Sequence, residues 1–372
     1  MPRRLVAPIS VAARRIVARP GIVALAAFGI TLATAGLTTL VVGQVVVEDR
    51  AVADSIGRLP VEQRLIAVSW VGSEVDDPSR LDREARRAIR SLGFGDPVRA
   101  VAFRSTRFGT EVVRLAAVDD PAGLLEARQG HLPARCGPTR CELVALDAPG
   151  TPLRGTRLRV VGSATAAPRA PLGALVGATS GSERVFVANG IDGLARRPEM
   201  SGLFRTLTWA VPLQEGALDS RRAAALPRRV AEIDTALSQV SLGFAVQAPL
   251  DDLAGARDRA LRASRRQLLV GGQCIVVFLA FAVLAASRIR RNAQETRFRL
   301  RRLRALRWQI GLETTAYALL VVLPAVLAGL VLGAVAGAAV ASAAGRPAGD
   351  AVRRALDSQE MLLAAVLLAG VA

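Results

Sequence analysis

Three stretches of this chain carry no charged residue at all: 21–47, 267–287 and 314–345, which are 27, 21 and 32 residues long. A helix rising 1.5 Å per residue needs about 20 apolar residues to cross a hydrocarbon core of about 30 Å. Each run is long enough, so the pattern predicts three membrane-crossing helices. A fourth run, 361–372, is apolar over 12 residues and reads as the start of a fourth crossing, with a membrane-dipping tail as the alternative. The first run exceeds the apolar core of a signal peptide, about 7–15 residues, and reads as a retained anchor.

The charge distribution gives these runs a direction. The formal charge is +18, carried without a single lysine. Its dense part sits in two short blocks. Residues 1–20 hold five arginines and no acid; residues 288–309, RIRRNAQETRFRLRRLRALRWQ, hold nine arginines against Glu295 alone. Both blocks abut apolar runs, where short arginine-rich flanks mark the cytoplasmic side of a membrane. A nucleic-acid-binding arm is therefore set aside, and no nucleic acid is expected as a partner. The sequence predicts a multi-pass protein of the cytoplasmic membrane with its N-terminus inside. Its divisions are a basic N-terminus (1–20), helix one (21–47), an extracytoplasmic domain (48–266), helix two (267–287), a cytoplasmic loop (288–311), helix three (312–342), a short outer loop (343–358) and the start of helix four (359–372). The expected fold class is an α-helical membrane protein with a large exported α+β domain between the first and second transmembrane helices.

Within 48–266, six stretches rich in valine read as strands: RLIAVSWVG, PVRAVAFR, EVVRLAAV, CELVALDA, TRLRVVGSA and ERVFVANG. RLDREARRAIRSLG and RRVAEIDTALSQV read as helices. Cys136 and Cys141 flank a segment containing Gly137 and Pro138, residues that favour a tight turn. In an oxidising compartment the pair is read as a disulfide. A zinc site using both thiolates and His131, the only histidine, is the alternative, but it lacks a fourth ligand. Asp76–Asp77, Asp119–Asp120 and Asp251–Asp252 lie beside turns or helix starts and read as caps. No GxSxG, HExxH or acid pair with a partner base is present, so no enzyme, metal or cofactor is predicted. A helix from Asp251 through residue 287 would be about 55 Å long, a stalk beneath the outer domain; a frayed connector is the alternative. VEDRAVADSIGR, after the first run, reads the same way.

Inside the membrane segments, Gly329, Gly333 and Gly337 recur every fourth residue, and Gly29 and Ala33 make a shorter pair. Small residues at that period let helices approach closely, which makes the three glycines candidate packing residues. Pro324 predicts a kink.

One crossing, a large outer domain, then closely spaced crossings around a basic cytoplasmic loop: this layout resembles the FtsX-like permease family, the MacB/LolC type of ABC-transporter membrane subunit in its actinobacterial form. ARQGHLPARCGPTRCELVAL resembles the family's outer-domain turn before a strand, with Gly130-His131 in place of the usual Gly-Arg. ETRFRLRRLRALRWQIGLE resembles its cytoplasmic segment, with Arg307 where a glycine is common. The resemblance implies that Glu295, Leu300, Leu303, Arg304, Leu306 and Gln309 couple the chain to a separate cytoplasmic ABC ATPase. It also implies a second permease unit or a homodimer, and contact with membrane lipids. ATP-driven motion would then reach the outer domain for extrusion of lipid, lipoprotein or peptide; control of an envelope hydrolase, or sensing of a peptide, is the alternative. A P-loop needs lysine to reach the phosphates, and this chain has none. On a helix Leu300, Leu303, Leu306 and Ile310 share one face. That face either seats in the ATPase, or the segment merely holds topology through its arginines.

Overall fold

The structure, a computed structural model, describes residues 10, 14, 16–18, 20–73, 77–108, 111–137, 139–149, 153, 157–177, 183–302, 307–345 and 347–356. It forms two compact units, Val52–Arg257 on one side of the division and Met1–Ala51 with Asp258–Ala372 on the other. The helices are α1 (Pro20–Arg58), α2 (Pro78–Ser91), α3 (Leu172–Val176), α4 (Ile191–Ala195), α5 (Ser220–Val240), α6 (Leu250–Arg302), α7 (Arg307–Ala343) and α8 (Ala348–Leu356).

The unit Val52–Arg257 is built on ten strands: β1 (Leu65–Gly72), β2 (Val98–Phe103), β3 (Thr106–Phe108), β4 (Glu111–Val118), β5 (Leu125–Gly130), β6 (Cys141–Leu146), β7 (Leu158–Ala166), β8 (Arg184–Asn189), β9 (Arg205–Pro212) and β10 (Phe244–Gln247). They form one sheet in the order β10-β1-β9-β2-β4-β8-β6-β7-β5, with β3 paired to β4. The β4–β8 and β6–β7 pairs are parallel, and the others are antiparallel. Alternation along the strands sends two apolar sets to opposite faces. Phe103, Leu115, Phe186, Leu207 and Trp209 meet Leu81, Ala85 and Ile89 of α2 on one face. Ala100, Ala116, Val144 and Val187 meet Leu172, Leu175 and Val176 of α3 on the other. Each large side chain buried in this way contributes about 1.5–3 kcal/mol, and both faces are covered, which is why the strands read as nearly continuous apolar runs.

The helices begin where their sequence dictates. Asp77 caps α2 by accepting from the Arg80 N–H at 3.0 Å, with Pro78 at the first helical position. Asp219 caps α5 in the same way. A third apolar cluster joins Val52 and Ile56 of α1 to Ile66, Leu213, Leu226, Val230 and Leu253 of α6. The domain-side ends of α1 and α6 are therefore clamped in one cluster with the ends of β1 and β9.

Several expectations need correction. The fold class is α+β, defined by a ten-stranded mixed sheet, and not a mainly helical membrane protein. Among the described residues two helices, Pro20–Arg58 and Thr315–Ala343, are long and apolar enough to cross a membrane. The physical reason is one of weighting: uncharged runs dominate a hydropathy reading, whereas a sheet of short strands leaves no long run to count. A buried core helix and a signal sequence share that length and composition, so the two helices establish a capacity and no more. The segment expected as an outer loop contains α8, whose Ala351 and Ala355 pack one turn apart against Val41, Val42 and Val46. Within 288–311 the chain is helical through Arg302 and again from Arg307.

Candidate functional site

The closest packing in the helical unit lies where α1 meets its two long neighbours. Thr31, Thr34, Ala35, Thr38 and Val42 fall on one stripe of α1 at three- and four-residue spacing. The three glycines of α7 meet that stripe. A Cβ on Gly329 would stand 2.6 Å from the Thr34 side chain and 2.7 Å from the Thr31 carbonyl oxygen; one on Gly333 would stand 2.6 Å from the Ala35 carbonyl oxygen; one on Gly337, 2.8 Å from Val42. Only hydrogen fits at these positions. Two threonines bond across the seam: Thr31 Oγ1 donates to the Ala325 carbonyl at 3.1 Å and Thr39 Oγ1 to that of Gly333 at 3.3 Å. Thr34 and Thr38 instead bond back to Ile30 and Thr34 one turn earlier, so they satisfy their hydroxyls within an apolar helix.

The register has a direction. Along α1 from Thr31 to Val42, the partners on α7 advance from Ala325 to Gly337, so these helices run parallel. Against α6 the order reverses. Gly36 faces Ile275, Leu40 faces Gly271, Gly43 faces Gln267, and Gln44 Nε2 donates to Ser264 Oγ at 2.6 Å. That pair is antiparallel. Beyond the apolar stretch, the carboxylate of Asp49 lies 2.7 Å from Arg354 Nη2 of α8.

Of the residues expected to act, Gly329, Gly333 and Gly337 are brought together against α1. Glu295 and Leu300 fall on α6 and Gln309 on α7; Leu303, Arg304 and Leu306 lie outside the described residues. Gly29 and Ala33 are buried. The sequence reading missed the threonine stripe and the Asp49–Arg354 pair. The threonine spacing was a usable signal; the ion pair, spanning 305 positions (354 − 49), left none.

In the sheet-bearing unit, Cys136 and Cys141 are joined in a disulfide. The loop they close is fastened to the end of β8: the Cys136 N–H donates to the Asn189 carbonyl at 2.7 Å, and Gly193 packs so closely that a Cβ there would stand 2.0 Å from the Cys136 carbonyl oxygen. Glu142 is buried beside it, accepting from the Ala134 N–H at 2.9 Å and from Arg140. The Ala134 bond holds its carboxyl below the ordinary value; burial opposes this, and Arg140 reinforces it. His131 is exposed, with Nδ1 2.8 Å from the Leu132 carbonyl oxygen, and among the described residues no group of three or more His, Cys, Asp or Glu side chains could hold a metal. The densest charge cluster is structural in form. Arg99 lies 2.7 Å from Asp119, 3.4 Å from Asp192 and 3.7 Å from Asp82, and Asp82 also accepts from Trp209 Nε1 at 2.7 Å. Burial works against the Arg99 charge, yet the three carboxylates outweigh it and raise its pKa above the ordinary value. An arginine held in this way ties β2 to α2 and α4.

No protein-family model matches this sequence, and no curated protein matches it.

Proposed function

We propose that the chain is the membrane subunit of an ABC-type exporter of the FtsX-like kind, passing motion from a separate cytoplasmic ATPase to its α+β domain to extrude a lipid, lipoprotein or peptide. In this reading the apolar parts of α1, α6 and α7 cross the cytoplasmic membrane, with residues 1–20 and 288–311 inside and residues 48–266 outside. The observation that carries it is the direction of packing. Successive crossings must alternate in direction, so the first must oppose the second and match the third; α1 is antiparallel to α6 and parallel to α7.

Two further observations support it. Leu269, Val276 and Leu284 of α6 and Leu323, Val331 and Val335 of α7 are all exposed, an apolar surface that suits lipid and would be costly in water. The shared cluster holding Val52, Ile56 and Leu253 gives α1 and α6 a common grip on the sheet, so a shift in either helix is felt by β1 and β9.

Topology is tested by cysteine labelling in intact cells: single cysteines at Ser91 and at Gln294 should label from outside and only after permeabilisation, respectively. The reverse pattern would overturn the reading. Coupling is tested by Leu303→Ser with Leu306→Ser, which keeps all nine arginines of the loop; membrane insertion should persist while stimulation and pull-down of the partner ATPase are lost. Retention of both would leave the loop a topology anchor only.

A further inference from the structure

On the sheet face covered by α3, one end of the strands is left open. Val71 of β1, Thr206 of β9 and Ala102 of β2 stand in a row across three neighbouring strands. With Thr208, Ala174 and Leu175 they border a cleft of about 360 Å³, at the small end of ligand pockets. Its rim is apolar: Val71 and Phe204 are 51% and 52% exposed.

Two arginines face the same space, Arg104 and Arg114, while Arg205, next to Thr206 on β9, turns its side chain to the opposite face of the sheet. Arg114 is held by Glu183 at 2.9 Å, by Ser105 Oγ at 3.4 Å and by the Gly177 carbonyl. Arg205 donates to the Ser73 carbonyl at 2.9 Å and lies over the Phe103 ring, 5.7 Å from its centre. Arg104 is different. It is exposed, and among the described residues its guanidinium meets no carboxylate and no carbonyl, although its backbone N–H is tied to Phe204 O at 2.8 Å. The hydroxyls of Thr206 and Thr208 likewise take no partner among the described residues. The cleft therefore carries net positive charge, free donors and an apolar wall.

We propose that this cleft binds an anionic single-chain amphiphile, with the carboxylate or phosphate of its head group on Arg104 and the first part of its alkyl chain against Val71, Leu175 and Phe204. An arginine fork matches either head group in two parallel bonds. A peptide is disfavoured because β1, β9, β2 and β4 are all interior strands. Their backbone groups are already paired, so no sheet edge is offered for strand addition. An alkyl chain has no backbone groups to satisfy. This inference rests on the cleft alone and needs neither the ATPase nor the membrane topology.

The test uses the full chain in nanodiscs of phosphatidylcholine, with photoactivatable probes carrying one alkyl chain and either a carboxylate, a phosphate or an alcohol as head group. Cross-links are mapped by mass spectrometry. The carboxylate probe, the phosphate probe or both should label the segment around Ala174–Leu175 or Phe204–Thr208, and which of them does so identifies the head group. Arg104→Gln, at an exposed position that leaves the fold intact, should weaken that labelling about tenfold, the loss expected for one charge-assisted bond. Ala174→Trp, also at an exposed position, should fill the cleft and abolish the labelling. Equal labelling in both variants, equal labelling by the alcohol probe, or displacement by an acidic peptide would each overturn the proposal.

Discussion

Asp49 and Arg354 form an ion pair at 2.7 Å in which the carboxylate side chain is 3% exposed and the guanidinium side chain 23%. The pair fastens α8 to α1 just beyond the apolar stretch, beside the cluster of Val41, Val42, Val46, Ala351 and Ala355. Removing the arginine alone takes its charged partner from a buried carboxylate, which costs about 3–5 kcal/mol, whereas replacing both partners with apolar groups is often neutral. Arg354→Leu should therefore lower the thermal unfolding temperature of the reconstituted protein sharply, and adding Asp49→Leu should restore most of it. Additive losses in the double variant would show that the two residues act separately.

The glycine seam makes a prediction of sign. Alanine is a better helix former than glycine by about 1 kcal/mol, so Gly→Ala in an open helical position should stabilise. Gly272 of α6 has nothing within 4 Å of a new Cβ, and Gly272→Ala should be neutral to favourable. At Gly333 the same Cβ would stand 2.6 Å from the backbone oxygen of Ala35. Backbone cannot rotate away, so Gly333→Ala should destabilise by about 1–3 kcal/mol, the range for overpacking. Heat-resistance assays on the two variants side by side give the answer, and equal behaviour would mean that the seam is loose.

Much of this was legible in the sequence, and what was not has identifiable causes. The uncharged runs mark the apolar parts of α1, α6 and α7, because hydropathy over 20 or more residues is a long-range average that one side chain cannot disturb. The six valine-rich stretches fall on β1, β2, β4, β6, β7 and β8. The strand at the heart of the sheet, β9, escaped: in RTLTWAVP the face lining the cleft carries Thr206 and Thr208, which blunts the apolar signal. Strand β5 escaped for a different reason. LEARQG is an edge strand with five exposed positions, and its residues are those of a solvated loop. The glycine row was visible, but its partner stripe on α1 was not, since nothing in one helix names the helix it will meet. The fold class was misjudged because three long runs outweighed ten short strands.

The Cys136–Cys141 bridge closes a loop of only a few residues, with a sequence separation of 5. By the loop-entropy relation such a short closure is worth about 2 kcal/mol. Cys136→Ser with Cys141→Ser should lower the unfolding free energy of the sheet-bearing domain by that amount, read as a fall in its urea midpoint. The same shift should appear in the wild type on adding reductant, and none in the double variant. A reductant effect that persists without the two cysteines would place the sensitivity elsewhere.

Glu142 supplies a pH dependence whose direction is fixed. Its carboxylate accepts from the Ala134 N–H and from Arg140, and its pKa is lowered in the folded chain. A carboxyl whose folded pKa lies below its unfolded one adds stability in full above the unfolded value, about 4.3 for Glu. That contribution is lost as pH falls through the lowered folded value, because the unfolded chain then binds the proton first. Glu142→Gln keeps the shape but forfeits the charge-assisted bonds, which are worth about 1.5–3 kcal/mol. At neutral pH the variant should therefore be less stable than the wild type by that order. Other carboxylates titrate in both proteins, so the informative quantity is the difference between the two unfolding curves. It should stay constant down to the ordinary glutamate range and shrink below it. A difference that stays level into strong acid would mean that Glu142 stabilises the 134–142 loop by packing and not by its charge.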